Sequence, residues 1–343
     1  MRFLRNYIFD VEYKKSLKVI TMWNGLKISE VFFEEYGLPM LEKEFAEYKD
    51  EIAAGLTGQT SECFGYDDYI SRDHDFAPGF CLWLPEDLKK EIGDDLQKAY
   101  DELPVEKFIL NHRFDVGMAE PSQIMTGARS HRIGVHSIEE FYYEHTGMTH
   151  APVTTEDWLA TPQMHLAEAV NGKVFRDPSG KFSSIRKVWE GYYPEDIKKK
   201  KVAADLAMAG KTGQFNYVRS IKRGDIGAAY CCVTEFIYKI TAALFLLNGR
   251  YMPYYKWRFR AMKEFTTLSN VVEPLIRLSQ MSEEESKGKV NLIEEISGEI
   301  VKELVKRGWS SGYSDYLLDN AKLVMKTISD TEIASWNVFV GED

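Results

Sequence analysis

A chain of 343 residues, 44% hydrophobic and 28% charged, is long enough for a large core and favours two domains over one small one. Its formal net charge of −10 argues against nucleic acid as a general partner, because an acidic surface repels the phosphate backbone. With 13% aromatic residues and no low-complexity stretch, disorder is expected only at the ends.

The opening "MRFLRNYIFDVEYKK" holds no apolar run of signal-peptide length. Cys63, Cys81, Cys231 and Cys232 form no Cys-x-x-Cys pair. Both features predict a cytoplasmic protein with reduced thiols. Residues 28–55 have helical spacing through Val31, Phe32, Tyr36, Met40, Leu41, Phe45 and Ile52, with a break or bend at Gly37-Leu38-Pro39. Residues 56–79 are turn-rich. "FCLWL" (80–84) predicts a short strand, and the acidic stretch opened by Pro85 predicts a helix. "RIGVHSI" (132–138) predicts a second strand. "GKVFRDPSGKF" (172–182) predicts a strand or hairpin edge with an Asp-Pro-Ser-Gly turn.

Beyond that the pattern is helical, over 194–211, 214–248, 254–281, 289–307 and 313–329. The basic run Lys198–Lys201 reads as a solvated helix face, "AGKT" (209–212) as a turn between helices, and "SEEES" (282–286) as a solvated linker. The apolar segment 232–247 carries Glu235 and Lys239, which predicts a buried bundle helix and no membrane span. Strands early and helices late predict an α+β fold. An α+β domain is expected over 1–150 and an all-α domain over 151–343.

The chemistry concentrates in "GYDDYISRDHDFAPGFCLWLP" (65–85). In an extended segment residues i and i+2 share a side, so Asp73 and Asp75 project together. Two carboxylates on one side repel unless a cation lies between them, and an oxygen-rich pair suits Mg²⁺ with phosphate oxygens as further ligands. Twelve positions before Asp73 comes Ser61, in "LTGQTSECFG". Gly58, Thr60 and Ser61 allow a tight turn whose amides and hydroxyls face phosphate.

The stretch resembles the glycine-serine, spacer, Asp-x-Asp signature of the nucleotidyltransferase superfamily, here "SRDHDF". The wider text resembles the bacterial domain of unknown function 4037, through "SECFGYDDYISRDHDF", "DWL", "GKVFRDPSG", "YYPEDI", "RGD" and "LNGRYMPYYKW", over roughly residues 27–330. That family is placed in the superfamily, and its helical half is similar to the C-terminal domains of aminoglycoside nucleotidyltransferases. The resemblance implies a nucleotidyltransferase-like mixed sheet followed by a helical bundle covering the cleft. It implies Asp73 and Asp75 as catalytic Mg²⁺ ligands, and Gly58, Thr60, Ser61 and Arg72 at the nucleotide. The reaction it implies moves a nucleoside monophosphate, AMP from ATP or its counterpart from another nucleoside triphosphate, to a hydroxyl of a small molecule.

Two departures stand out. The glycine expected just before the serine is Thr60. The superfamily's third carboxylate has no acid to match it on "RIGVHSI", which leaves Glu139, Glu140 and Asp115 as alternatives. An inactive nucleotide-binding regulator or antitoxin-like partner is therefore the competing reading. In the helical half, Lys256 and Arg219 are candidates to neutralise triphosphate or line an acceptor pocket, against ordinary interhelical ion pairs. Other chemistries lack their parts. His145 and His150 lie five apart, no histidine precedes His74, and neither G-x-G-x-x-G nor G-x-S-x-G occurs. The oligomeric state is not legible.

Overall fold

Asn24 starts the first helix by accepting from Lys27 N at 2.8 Å. This computed structural model describes residues 23–68, 70–71, 78–112 and 133–342. Helix α1 (Gly25–Phe32) runs through a π-helical turn (Phe33–Gly37) into α2 (Leu38–Glu44), so the predicted break is a widened turn. Pro39 sits in the first turn of α2, where its missing N–H costs little. A Cβ on Gly37 would lie 2.5 Å from the Phe80 ring, which is why glycine stands there. The helix stops at Phe45, earlier than expected, and strand β1 (Ala53–Leu56) follows, which the sequence did not suggest.

Strand β2 (Cys81–Leu84) leads into α3 (Glu86–Asp101) and α4 (Val105–His112). Strand β3 (Gly134–Ser137) leads into α5 (Ile138–Thr146), whose start is closed by a reciprocal Ser137–Glu140 cap. Helices α6 (Thr155–Ala160) and α7 (Gln163–Val170) precede strand β4 (Lys173–Arg176). The sheet order is β3-β2-β1-β4, with β1 antiparallel to both neighbours and β2 parallel to β3. The fold is thus α+β around a small mixed sheet. Its fourth strand comes from beyond position 150, so residues on both sides of that expected boundary build the sheet.

Alternation along the strands divides the core. Ala54, Leu82 and Leu84 face a cluster with Phe32, Leu41, Leu96 and Phe108 from α1 to α4. Ala53, Cys81 and Trp83 face the other way. Trp83 stacks on Phe182 at 4.0 Å and meets Phe141 edge-on at 5.4 Å. That second cluster is continuous with the helical half: α8 (Lys181–Glu190), α9 (Glu195–Ala209), α10 (Val218–Lys222), α11 (Ile226–Leu247), α12 (Tyr255–Met262), α13 (Val272–Gln280), α14 (Ser286–Lys306), α15 (Leu317–Met325) and α16 (Thr331–Ser335).

The helical half corrects two expectations. "AGKT" is no turn, because α9 continues through a π-helical segment (Gly210–Tyr217) into α10. A Cβ on Gly213 would lie 2.3 Å from the Phe236 ring, so the glycine permits a close helix crossing. Nor is Lys198–Lys201 a solvated face: Lys200 is 0% and Lys201 1% exposed. Their ammonium groups are satisfied by carbonyl oxygens far along the chain, which no local pattern announces. Helix α11 is long and apolar enough to cross a membrane by length and composition, and its second half is buried in the bundle.

Candidate functional site

Strands β1 and β2 pair antiparallel with Gly55 opposite Cys81. The chain therefore leaves β1 and arrives at β2 at the same end of the sheet. Strand β3 starts there too, since Gly134 pairs with Cys81 in parallel. A small cleft of ≈ 70 Å³ opens at this end, lined by Gly58, Thr60, Cys63, His136, Glu144 and His145 among others.

The loop after β1 is held by a residue that sequence reading passed over. Asn171 Oδ1 accepts from Gly58 N at 2.9 Å, and Asn171 Nδ2 donates to Gly58 O at 2.7 Å. The Thr57 hydroxyl lies 2.9 Å from both Asn171 Oδ1 and the Glu168 carbonyl oxygen. Next in sequence, Gly172 N donates to Cys63 O at 2.7 Å. Gly172 has φ +63°, and a Cβ there would lie 2.0 Å from Leu56 O, so only glycine fits. The stretch "GKVF" was legible as an edge strand; the role of the preceding Asn171 as a clasp depends on pairing across more than a hundred residues.

This clasp alters the expected phosphate turn. Gly58 lines the cleft, but its N–H is engaged by Asn171. Thr60 also lines it, with Oγ1 3.2 Å from Cys63 Sγ. Ser61 starts the following turn, its carbonyl accepting from Tyr66 N at 2.8 Å. Arg72, Asp73 and Asp75 lie outside the described residues, as does Asp115. Lys256 is not among the residues lining the cleft; it is exposed, with Nζ 5.2 Å above the Trp257 ring. Among the described residues the cation that reaches the acidic stretch is Arg260. It donates to Tyr66 O, lies over the Tyr66 ring at 5.0 Å, and stands 3.9 Å from Asp68.

Two neighbouring acids have structural work. Asp67 accepts from Gly25 N at 3.0 Å at the start of α1. Asp68 accepts from Ile70 N and Ser71 N, closing a tight turn. Of the alternatives for a third carboxylate, Glu139 accepts from Glu86 N at 3.1 Å at the start of α3, and Glu140 pairs with Lys89 and caps α5.

The titratable groups that line the cleft are Glu144, two thiols and two imidazoles, and the imidazoles are the buried bases among them. His136 pairs with Trp83 in register and so shares its face of the sheet. Its Nε2 is buried without a hydrogen-bond partner among the described residues. Burial pushes the His136 imidazole below the usual histidine range, which favours the neutral ring. His145 is lowered for the same reason, with Nδ1 2.9 Å from Phe141 O. Behind the loop, burial raises Glu168 to about 7. His165 Nδ1 is 3.6 Å away, close enough for an ion pair, yet burial lowers His165 as it raises Glu168. We read the contact as one between neutral groups, because no hydrogen bond satisfies Glu168 Oε2.

On the helical side of the same loop lies a second cleft of ≈ 290 Å³, with Phe64, Tyr66, Asn171, Tyr192, Arg250 and Tyr251 in its wall. The loop after β1 thus separates two hollows, and Asn171 borders the second while clasping the first.

Residues 158–258 match the family model described as domain of unknown function DUF4037. The matched stretch runs from α6 to the first turn of α12. The match is narrower than the stretch of roughly 27–330 that the motifs suggested, and it includes the Asn171-Gly172 clasp. Searches of curated proteins and of solved structures returned no match.

Proposed function

We propose that this chain is a Mg²⁺-dependent nucleotidyltransferase that moves AMP from ATP to a hydroxyl of a small molecule. The observation that carries the proposal is the shared end of the sheet. The loop with Thr60 and Ser61 leaves β1 where the segment following Asp73-x-Asp75 joins β2, beside the cleft. The nucleotidyltransferase-like layout, a mixed sheet whose cleft is flanked by a helical half, is part of the same proposal.

Among the described residues no group of three His, Cys, Asp or Glu side chains is arranged to hold a metal. The Mg²⁺ of this reading rests on Asp73 and Asp75. When bound, it would neutralise phosphate charge. In the reaction the acceptor oxygen bonds to the α-phosphorus, the α–β bridging bond breaks, and pyrophosphate leaves. The acceptor's proton needs a base. His136 is neutral, faces the cleft and has Nε2 unpartnered among the described residues, which supports it in that role in place of a third carboxylate.

One observation favours the competing reading, a nucleotide-binding regulator without turnover: the Gly58 N–H is already engaged by Asn171. Pyrophosphate release separates the two. The enzyme releases it from Mg-ATP when offered a panel of hydroxyl acceptors, and Asp73→Asn abolishes the release. A chain that binds Mg-ATP and releases none under any acceptor is the regulator.

A further inference from the structure

The lysines of the basic run and one lysine of α11 converge beneath the segment that follows α16. Lys200 Nζ donates to the carbonyls of Asn337 at 2.9 Å, Val338 at 3.1 Å and Val340 at 2.5 Å. Lys201 Nζ donates to Gly341 O at 3.3 Å. Lys239 Nζ lies 3.2 Å from Glu342, 4.0 Å from buried Asp205 and 3.8 Å from half-exposed Glu235. Lys211 Nζ stands 5.3 Å above the Phe339 ring.

Lysines are rarely buried, and a buried ammonium is costly unless well compensated. Here three are nearly sealed: Lys200 0%, Lys201 1% and Lys239 4% exposed. Yet the segment that covers them is superficial, for none of residues 337–342 is itself buried. Its apolar anchors are Val338 and Phe339, only partly buried against the core, so it opens at lower local cost than the bundle helices beneath it. It meets Lys200 with neutral carbonyls and brings one carboxylate, Glu342, to Lys239. If the fold needed only to close the bundle here, apolar side chains would serve as well or better. What remains when the segment lifts is a pocket walled by three ammonium groups, with Asp205 and Glu235 as nearby acids.

We infer that residues 337–342 are a built-in occupant of an anion pocket walled by Lys200, Lys201 and Lys239, and that their withdrawal admits a small phosphate-bearing ligand. The Glu342 carboxylate takes the place of a phosphoryl oxygen on Lys239, and the carbonyls of 337, 338 and 340 take the place of others on Lys200. Lysine ammonium groups suit this ligand because they are compact donors free to rotate onto tetrahedral oxygens. The pocket is independent of the nucleotide reading, since none of these lysines lines the clefts beside the β1 loop.

The test is calorimetric titration of inorganic pyrophosphate in EDTA, where no divalent cation can bridge the anion to carboxylates elsewhere. A chain lacking 337–343 binds at least about tenfold tighter than the intact chain, and adding Lys239→Met to the deletion cancels the gain. In the intact chain, amide hydrogen exchange over 338–342 rises as pyrophosphate is added. A deleted chain that still melts cooperatively but binds no tighter overturns the inference. So does exchange over 338–342 that stays unchanged at high pyrophosphate, and this second measurement decides if the deletion fails to fold.

Discussion

Replacing Asn171 by alanine removes both hydrogen bonds that hold Gly58, one at 2.9 Å to its N–H and one at 2.7 Å to its carbonyl. The Thr57 hydroxyl loses one acceptor but keeps the Glu168 carbonyl at 2.9 Å, so it adds little. At about 1 kcal/mol per bond, with a further contribution from partly buried Gly58 groups left unpaired, the loss is about 2–3 kcal/mol. The backbone carbonyl of Asn171, which accepts from Arg186 at 2.8 Å, is untouched, so the β4 edge stays anchored. Urea unfolding measures the change as a lower midpoint at unchanged slope. The same variant binds Mg-ATP more weakly, because the loop after β1 is no longer clasped. A stability change under about 0.5 kcal/mol, the size expected of an ordinary surface substitution, would refute the clasp.

Three further outcomes follow from the same geometry. Burial holds Glu168 at about 7 against an ordinary 4.5, so the fold favours the protonated acid. Stability from this group is complete below pH 4.5 and is lost as pH rises through 7. Glu168→Gln therefore matches wild type in acid and exceeds it at pH 8, by an upper bound of roughly 3 kcal/mol in thermal or urea melts; a variant weaker at pH 8 would mean that the His165 contact is an ion pair. Gly172→Ala forces a side chain onto Leu56 O at φ +63° and costs at least roughly 2 kcal/mol in the same melts, and a neutral effect there would contradict the close approach of β4 to β1. Glu139→Gln and Glu140→Gln leave pyrophosphate release within about twofold of wild type, whereas His136→Gln lowers it by about a hundredfold; the reverse order would return the base to a carboxylate.

Where local chemistry decides, the sequence was readable. "FCLWL" is a strand because residues buried on both faces leave an unbroken apolar run, and Pro85 with two acids after it opens a helix as expected. The late helices also stand near their predicted spans, except that 214–248 breaks at Arg223–Asp225 and 254–281 divides into α12 and α13. Strand β1 was not readable, because "AAGL" has no β-branched or aromatic residue to mark it. Its small side chains answer to neighbours: a Cβ on Gly55 would lie 2.5 Å from the Lys173 carbonyl oxygen. The same holds for Asn171, whose partner Gly58 is distant in sequence, and for Lys200 and Lys201, whose charge reads as solvent-facing until the segment 337–342 is seen above them. Of the candidate site, the cleft residues Gly58 and Thr60 were anticipated, while His136 and His145 were noticed only as an absence of acid and a poor zinc spacing.

Calorimetric titration of Mg-ATP into the wild type and into the Asp73→Asn, Asp75→Asn double variant tests the central claim most directly. The account predicts binding that requires Mg²⁺ and disappears in the double variant while its melting curve is preserved. Binding that persists in the variant, or that is missing from the wild type, would contradict it.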